Sequence, residues 1–217
     1  MDMRKLASVA LFLATTVAAF AAAPVPRKAP EFTVTDPSGK VVSLSSFKGK
    51  VVVMTFMYTT CPHCQREAAM VTKLQKDYAA KGFQAFGAAF NFEDKDTPAV
   101  RGATVAKFNA DFGVGYPVGH TSPAAVMAFL GLSVMDRYVV PQVAVIDRKG
   151  NVVKQSDPTN GSEELQTEAS LRALVETLLK EGTAISSAAP AKPATTAATT
   201  AKTATAPAPA KTVAKAN

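Results

Sequence analysis

Two stretches of the chain are apolar without alternation. VVVMTFMY, at 51–58, is a run of β-branched and large side chains, and FQAFGAAF, at 83–90, is a second such run. Unbroken apolar runs of this length belong to strands covered on both faces of a sheet. Between them the period changes. Ala68, Val71, Leu74 and Tyr78, with Gln75 beside them, recur at helical spacing, which predicts a helix over 61–81 with Gly82 as its C-cap. Ahead of the first run, apolar and polar residues alternate around the turn DPSGK, predicting a hairpin from Phe32 to Leu44. Thr97 and Pro98 open a second helix that closes at Gly113, and Ser122 and Pro123 open a shorter one that closes at Gly131. Gln142–Ile146 and Asn151–Lys154 form a hairpin about a DRKG turn. A final stripe of Leu171, Leu174, Val175, Leu178 and Leu179 marks an amphipathic helix with acids in its first turn.

The resulting order is hairpin, β, α, β, α, α, β, β, α. It predicts an α/β domain of three layers with a central mixed β-sheet, parallel early and antiparallel later, preceded by an N-terminal β-hairpin.

The two ends follow different patterns. Arg4 and Lys5 precede an apolar run from Leu6 to Ala23 that finishes in small residues, the form of a secretory signal peptide. Cleavage near Ala22–Val25 is expected in preference to retention as a membrane anchor. From 184 to 217 the chain is almost wholly Ala, Thr, Pro and Lys, a composition expected to stay disordered. The expected domains are therefore a signal at 1–23, a folded body at 24–183 and a tail at 184–217.

Charge changes meaning once the ends are separated. The chain has 24 basic and 17 acidic residues. Six of the basic residues, Arg4, Lys5, Lys192, Lys202, Lys211 and Lys215, lie in the two ends, so the body is close to neutral. No nucleic-acid partner is expected. The tail is a solvated extension, with envelope surfaces as the contact open to it.

The only two cysteines stand in TTCPHCQRE, as Cys61 and Cys64. A zinc site needs four ligands, and the chain offers beyond these only His63, inside the motif, and His120. A disulfide across two residues closes too small a loop to act as a structural staple. At a strand-to-helix junction, however, Cys61 sits where unpaired backbone N–H groups favour a thiolate, and Pro62 suits the first helical turn because it has no N–H to lose. Cys61 is then the attacking sulfur and Cys64 the resolving one. His63, facing Cys61, would stabilise that thiolate. An exported chain with just two cysteines fits an oxidising compartment. No metal or other cofactor is called for.

These residues carry a family resemblance. APEFTVTDPSGKVVSLSSFKGKVVVMTF, the CPHC motif and VVPQVAVIDRKGNVV together resemble the thioredoxin superfamily, and within it the exported TlpA/ResA-like thiol-disulfide oxidoreductases on an AhpC/TSA-type scaffold. The resemblance covers most of the body and implies a thioredoxin-like fold in the periplasm. It implies protein thiols and disulfides as substrates and a membrane electron donor or acceptor as redox partner. It assigns Cys61 and Cys64 to the redox pair, Pro141 to the family's cis-proline, and Val140 to a backbone contact with an extended substrate strand. It matches Glu67 to a glutamate that tunes the cysteines, against the plainer alternative of a surface carboxylate paired with Arg66, Lys73 or Lys76. The chain departs from the pattern at Thr60, where Trp is usual, and at Thr55, where thioredoxin has a buried acid. Two other readings stay open: a peroxiredoxin-like thiol peroxidase, and a Sco-like copper chaperone using His120 with the two cysteines.

Overall fold

The structure, a computed structural model, describes residues 22–133 and 135–186. The expected signal, apart from Ala22 and Ala23, and nearly all of the expected tail lie outside these residues. Eight strands form one mixed sheet: β1 (Arg27–Lys28), β2 (Thr33–Thr35), β3 (Val41–Ser43), β4 (Val51–Met57), β5 (Phe83–Ala89), β6 (Val118–His120), β7 (Gln142–Ile146) and β8 (Asn151–Gln155). Their order across the sheet is β1-β8-β7-β4-β5-β6-β2-β3. The helices are α1 (Pro62–Tyr78), α2 (Pro98–Asp111), α3 (Pro123–Leu130), the single turn α4 (Glu163–Gln166) and α5 (Glu168–Ser186).

The two apolar runs become the centre of the sheet. Every residue of β4 and β5 is buried, and the two strands pair in parallel from Val51↔Phe83 to Met57↔Ala89. Burial on both faces is what such runs require. β7 lies antiparallel on the other side of β4, from Val52↔Ile146 to Phe56↔Gln142. Side chains alternate across the sheet and so feed two cores. Val51, Val53 and Met57 meet α1 and α5 through Val71, Leu74, Leu171 and Val175. Val52, Met54 and Phe56 meet the hairpin and α3 through Phe32, Phe129 and Leu130. Three layers result, as the alternation of strands and helices predicts.

Capping residues set the helix starts. Thr97 and Ser122 accept hydrogen bonds from Val100 N at 3.3 Å and Ala125 N at 3.2 Å, each followed by a proline in the first turn. Such caps contribute about 1 kcal/mol apiece. Gly82 closes the first helical segment with φ 89°, a left-handed value that favours glycine.

The structure adds strands that the pattern does not reveal. β6 extends the parallel part of the sheet to three strands, and β1 pairs with β8 at the opposite edge. The N-terminal hairpin docks on β6 rather than beside β4, through Thr35↔His120. The C-terminal helical stretch divides at Thr167, whose backbone is extended, and α5 continues to Ser186, just past the boundary placed at 183.

Candidate active site

The two cysteines sit where β4 gives way to α1. Cys61 occupies the N-cap with an extended backbone, and Pro62 is the first helical residue. Two hydrogen bonds fix that junction: Cys61 N–H donates to Tyr58 O at 3.1 Å, and Gln65 N–H donates to Cys61 O at 3.1 Å. The approach to it is pinned from β5's end, where Asn91 Oδ1 accepts from Thr59 N–H at 2.9 Å and Asn91 Nδ2 donates to Thr59 Oγ1 at 3.1 Å. Gln65 Nε2 donates back to Thr59 O. Both cysteines are free thiols, Cys61 half-buried and Cys64 buried.

The second wall comes from the segment ahead of β7. The Val140–Pro141 peptide bond is cis, and Cys61 Sγ donates to Val140 O at 3.7 Å. Val140 is half-buried and Pro141 buried. Gln142 Nε2 donates to Val139 O at 2.9 Å and to Asp157 O at 3.3 Å, tying this segment to β8's exit. A tyrosine pair joins the two walls: the hydroxyls of Tyr58 and Tyr138 lie 2.8 Å apart, and both rings rest on Phe90. The sequence pattern pointed to neither tyrosine. Each stands next to a motif residue, but the partnership is formed by residues 80 apart.

His63 is exposed, and its Nδ1 lies 2.9 Å from an Arg66 guanidinium nitrogen. Arginine only donates, so the imidazole is the acceptor in that contact. Pro62 is exposed as well.

Glu67 settles differently from its surface alternative. It is 6 % exposed, and neither carboxyl oxygen has a hydrogen-bond partner. It is thus not paired with Arg66, Lys73 or Lys76; Lys73 reaches Glu168 instead. One turn beyond Cys64 on the same helix face, it points inward with Cys64, Ala68 and Val71. Burial, reinforced by the charge of Cys61, pushes its pKa well above the ordinary carboxyl value. Burial also pushes the Cys64 thiol up, with Cys61 and Glu67 adding to the shift.

Two further residues adjoin this interior. Thr55 of β4 and Tyr116, ahead of β6, are 1 % and 7 % exposed, and burial pushes the Tyr116 phenol up, with Glu67 and Cys64 contributing. Thr55 was visible in the sequence as a departure from the family pattern. Tyr116 gave no signal, because its place depends on β6, a strand of three residues in a glycine- and proline-rich stretch.

His120 closes β6 and is packed edge-to-face on Phe92 at 5.9 Å. Burial lowers its pKa, and Arg101 adds to that effect. Among the described residues no group of three or more His, Cys, Asp or Glu side chains could hold a metal, so Cys61, Cys64 and His120 do not assemble as the copper reading requires. A cleft of about 350 Å³ opens at the other end of the sheet, lined by Lys28, Phe47, Lys50, Ile146 and Arg148 among others, and it shares no residue with this site.

Comparison with known proteins agrees with this geometry. The family model of redoxins matches residues 24–175. The thiol-disulfide oxidoreductase ResA of Bacillus thuringiensis (strain Al Hakam) is 28 % identical over 140 residues, covering 64 % of this chain and 73 % of that protein. A solved thiol:disulfide interchange protein of the thioredoxin family from Chlorobium tepidum TLS is 28 % identical, with a TM-score of 0.57 over 72 % of this chain and 99 % of that one. A thiol:disulfide interchange protein from Bacteroides sp., at 21 % identity and a TM-score of 0.55 over 72 % and 91 %, shares the fold.

Proposed function

The chain belongs to the redoxin family, and from that membership we propose that it is a thiol-disulfide oxidoreductase exchanging disulfides with protein cysteines through Cys61 and Cys64. Its fold is the thioredoxin fold of TlpA/ResA-like proteins. One observation carries the reading: Cys61 stands half-exposed at a helix N-cap, with its sulfur on the Val140 carbonyl, while Cys64 lies buried one turn further in.

That asymmetry divides the work. Cys61 is the sulfur a partner can reach, standing half-exposed at the open N-terminus of α1. It attacks the partner's disulfide, forming a mixed disulfide and releasing one partner cysteine. Cys64, sheltered from competing partners, then attacks Cys61; the Cys61–Cys64 bond forms and the partner leaves reduced. Val140 and Pro141 border the attacking sulfur of Cys61, where an extended partner segment can lie along the backbone ahead of β7. Glu67 is the carboxyl placed to trade a proton with Cys64.

The electrostatics favour a reductant. A strongly oxidising disulfide needs a thiolate stabilised in the reduced form. Here the resolving thiol is desolvated, a buried carboxyl stands behind the pair, and His63 is engaged by Arg66. The N-terminal signal pattern and the use of only two cysteines support action in the periplasm, with electrons supplied by a membrane donor.

Trapping tests the division of roles. Cys64→Ser, incubated with a disulfide-bonded protein, is expected to accumulate a covalent adduct through Cys61, reversible by dithiothreitol and seen by mass. Cys61→Ser is expected to form none. Adducts through Cys64 as readily as through Cys61 would contradict the assignment.

A further inference from the structure

Beneath the redox pair both carboxyl oxygens of Glu67 lack hydrogen-bond partners, and Thr55 Oγ1 and Tyr116 Oη meet each other only outside ordinary hydrogen-bond geometry. They come from three elements that the sheet register brings together. Thr55 on β4 stands opposite Gly87 on β5. The ring of Tyr116 lies over that glycine, since a Cβ there would be 3.2 Å from Tyr116 Cε2. Glu67 reaches the same interior from α1, and the Tyr116 hydroxyl interacts with Thr55, Glu67 and Cys64 together. A buried polar group left unpaired keeps the cost of its lost hydration. A cluster of such groups beside two reactive thiols therefore calls for a functional account.

We propose that Tyr116 and Thr55 are positioning residues for the resolving step, their hydroxyls holding the Glu67 carboxyl so that it takes the proton of the Cys64 thiol as Cys64 attacks the mixed disulfide on Cys61. The proposal rests on the roles given above to Cys61 and Cys64. In this step the Cys64 S–H bond breaks and its proton passes to the Glu67 carboxylate. The sulfur's electron pair forms the Cys61–Cys64 bond, the mixed-disulfide bond breaks, and the partner cysteine departs as a thiolate with that bond's pair. Glu67 must be ionised at that moment. A thiolate on Cys61 opposes this charge, but in the mixed disulfide Cys61 carries none, so the opposition ends when the base is needed. A hydrogen bond donated by Tyr116 favours the carboxylate, and the Thr55 hydroxyl can accept from Tyr116 or donate to Glu67.

The surroundings leave these groups in control. Among the described residues, the titratable groups acting on the Glu67–Cys64–Tyr116 set are its own members with Cys61, and the backbone of Tyr58 adds a hydrogen bond to Cys64. β4 contributes Thr55 and β5 contributes only Gly87 at this level.

Tyr116→Phe and Thr55→Val each remove the hydroxyl while keeping nearly the same shape. The probe is the aryl disulfide dithiobis(nitrobenzoate). Its first aryl thiolate is released when Cys61 attacks, and its second when Cys64 resolves the Cys61 adduct. Both releases are followed across pH in wild type, the two variants and Glu67→Gln. In Tyr116→Phe the second release is expected to slow about tenfold near neutrality, its acid limb moving up by about one pH unit, as loss of a hydrogen bond to a charged group implies. Thr55→Val moves the same way by less, Glu67→Gln loses the limb, and the first release is unchanged in Tyr116→Phe and Thr55→Val. A second release in Tyr116→Phe with the wild-type pH profile overturns the proposal, as does equal slowing of both releases, the mark of a packing defect. Absence of a second release in wild type overturns the underlying roles of Cys61 and Cys64, and this proposal with them.

Discussion

Glu67 is where burial and charge oppose each other most directly. Its carboxyl is raised well above the ordinary value of 4.5, so between that value and its folded value the native state binds more protons than the unfolded chain. Stability then falls as pH rises: the contribution is complete below about 4.5 and is lost as pH passes through the folded value. In the dithiol protein, wild-type stability is expected to decline from mildly acidic to neutral pH with a slope of at most about 1.4 kcal/mol per unit. Glu67→Gln, which has no proton to lose, is expected to abolish that decline. Urea unfolding at a series of pH values checks this, and parallel profiles would show that Glu67 is not the titrating group. The sequence displayed the pair itself in full, since spacing, Pro62 and the preceding apolar run need no tertiary information. It could not decide Glu67, because a residue at the border of the Cys64–Ala68–Val71 face can turn inward or outward, and only the packing of α1 on β4 and β5 chooses.

At the scale of elements, glycine fixes how closely strands approach. A Cβ on Gly119 of β6 would stand 2.5 Å from Thr35 O and 2.6 Å from Val34 Cγ2. The contact is with backbone, so Gly119→Ala has to push the β2–β3 hairpin away from the sheet. A loss of about 1–3 kcal/mol is expected, read as a lower urea midpoint with an unchanged slope; an unaltered midpoint would mean that the hairpin's docking is not held by this contact. Elements with strong periods or two capping signals were legible in the sequence: β4, β5, α1, α2, α3 and the β7–β8 hairpin lie close to where the pattern puts them. β1 and β6 were not, because strands of two and three residues carry no period. The dock of the hairpin on β6 was hidden for the same reason, since its acceptor strand is defined by neighbours distant in sequence.

At the scale of the whole molecule, the central pair β4–β5 does two things. It carries the core on both faces, and the exit of β4 presents Cys61 opposite the cis Val140–Pro141 segment that precedes β7. The layer order and the mixed sheet followed from the alternation of strands and helices, whereas the tyrosine link between Tyr58 and Tyr138 and the interior group of Thr55, Glu67 and Tyr116 required the assembled sheet. Thiol-disulfide exchange demands that this assembled site pass reversibly between dithiol and disulfide. The most direct test equilibrates the full chain across a glutathione series, traps free thiols and weighs the products. A single reversible two-electron transition between Cys61 and Cys64 is predicted, with a midpoint nearer to about −270 mV than to about −120 mV. Two thiols that stay free across the whole series would contradict the account.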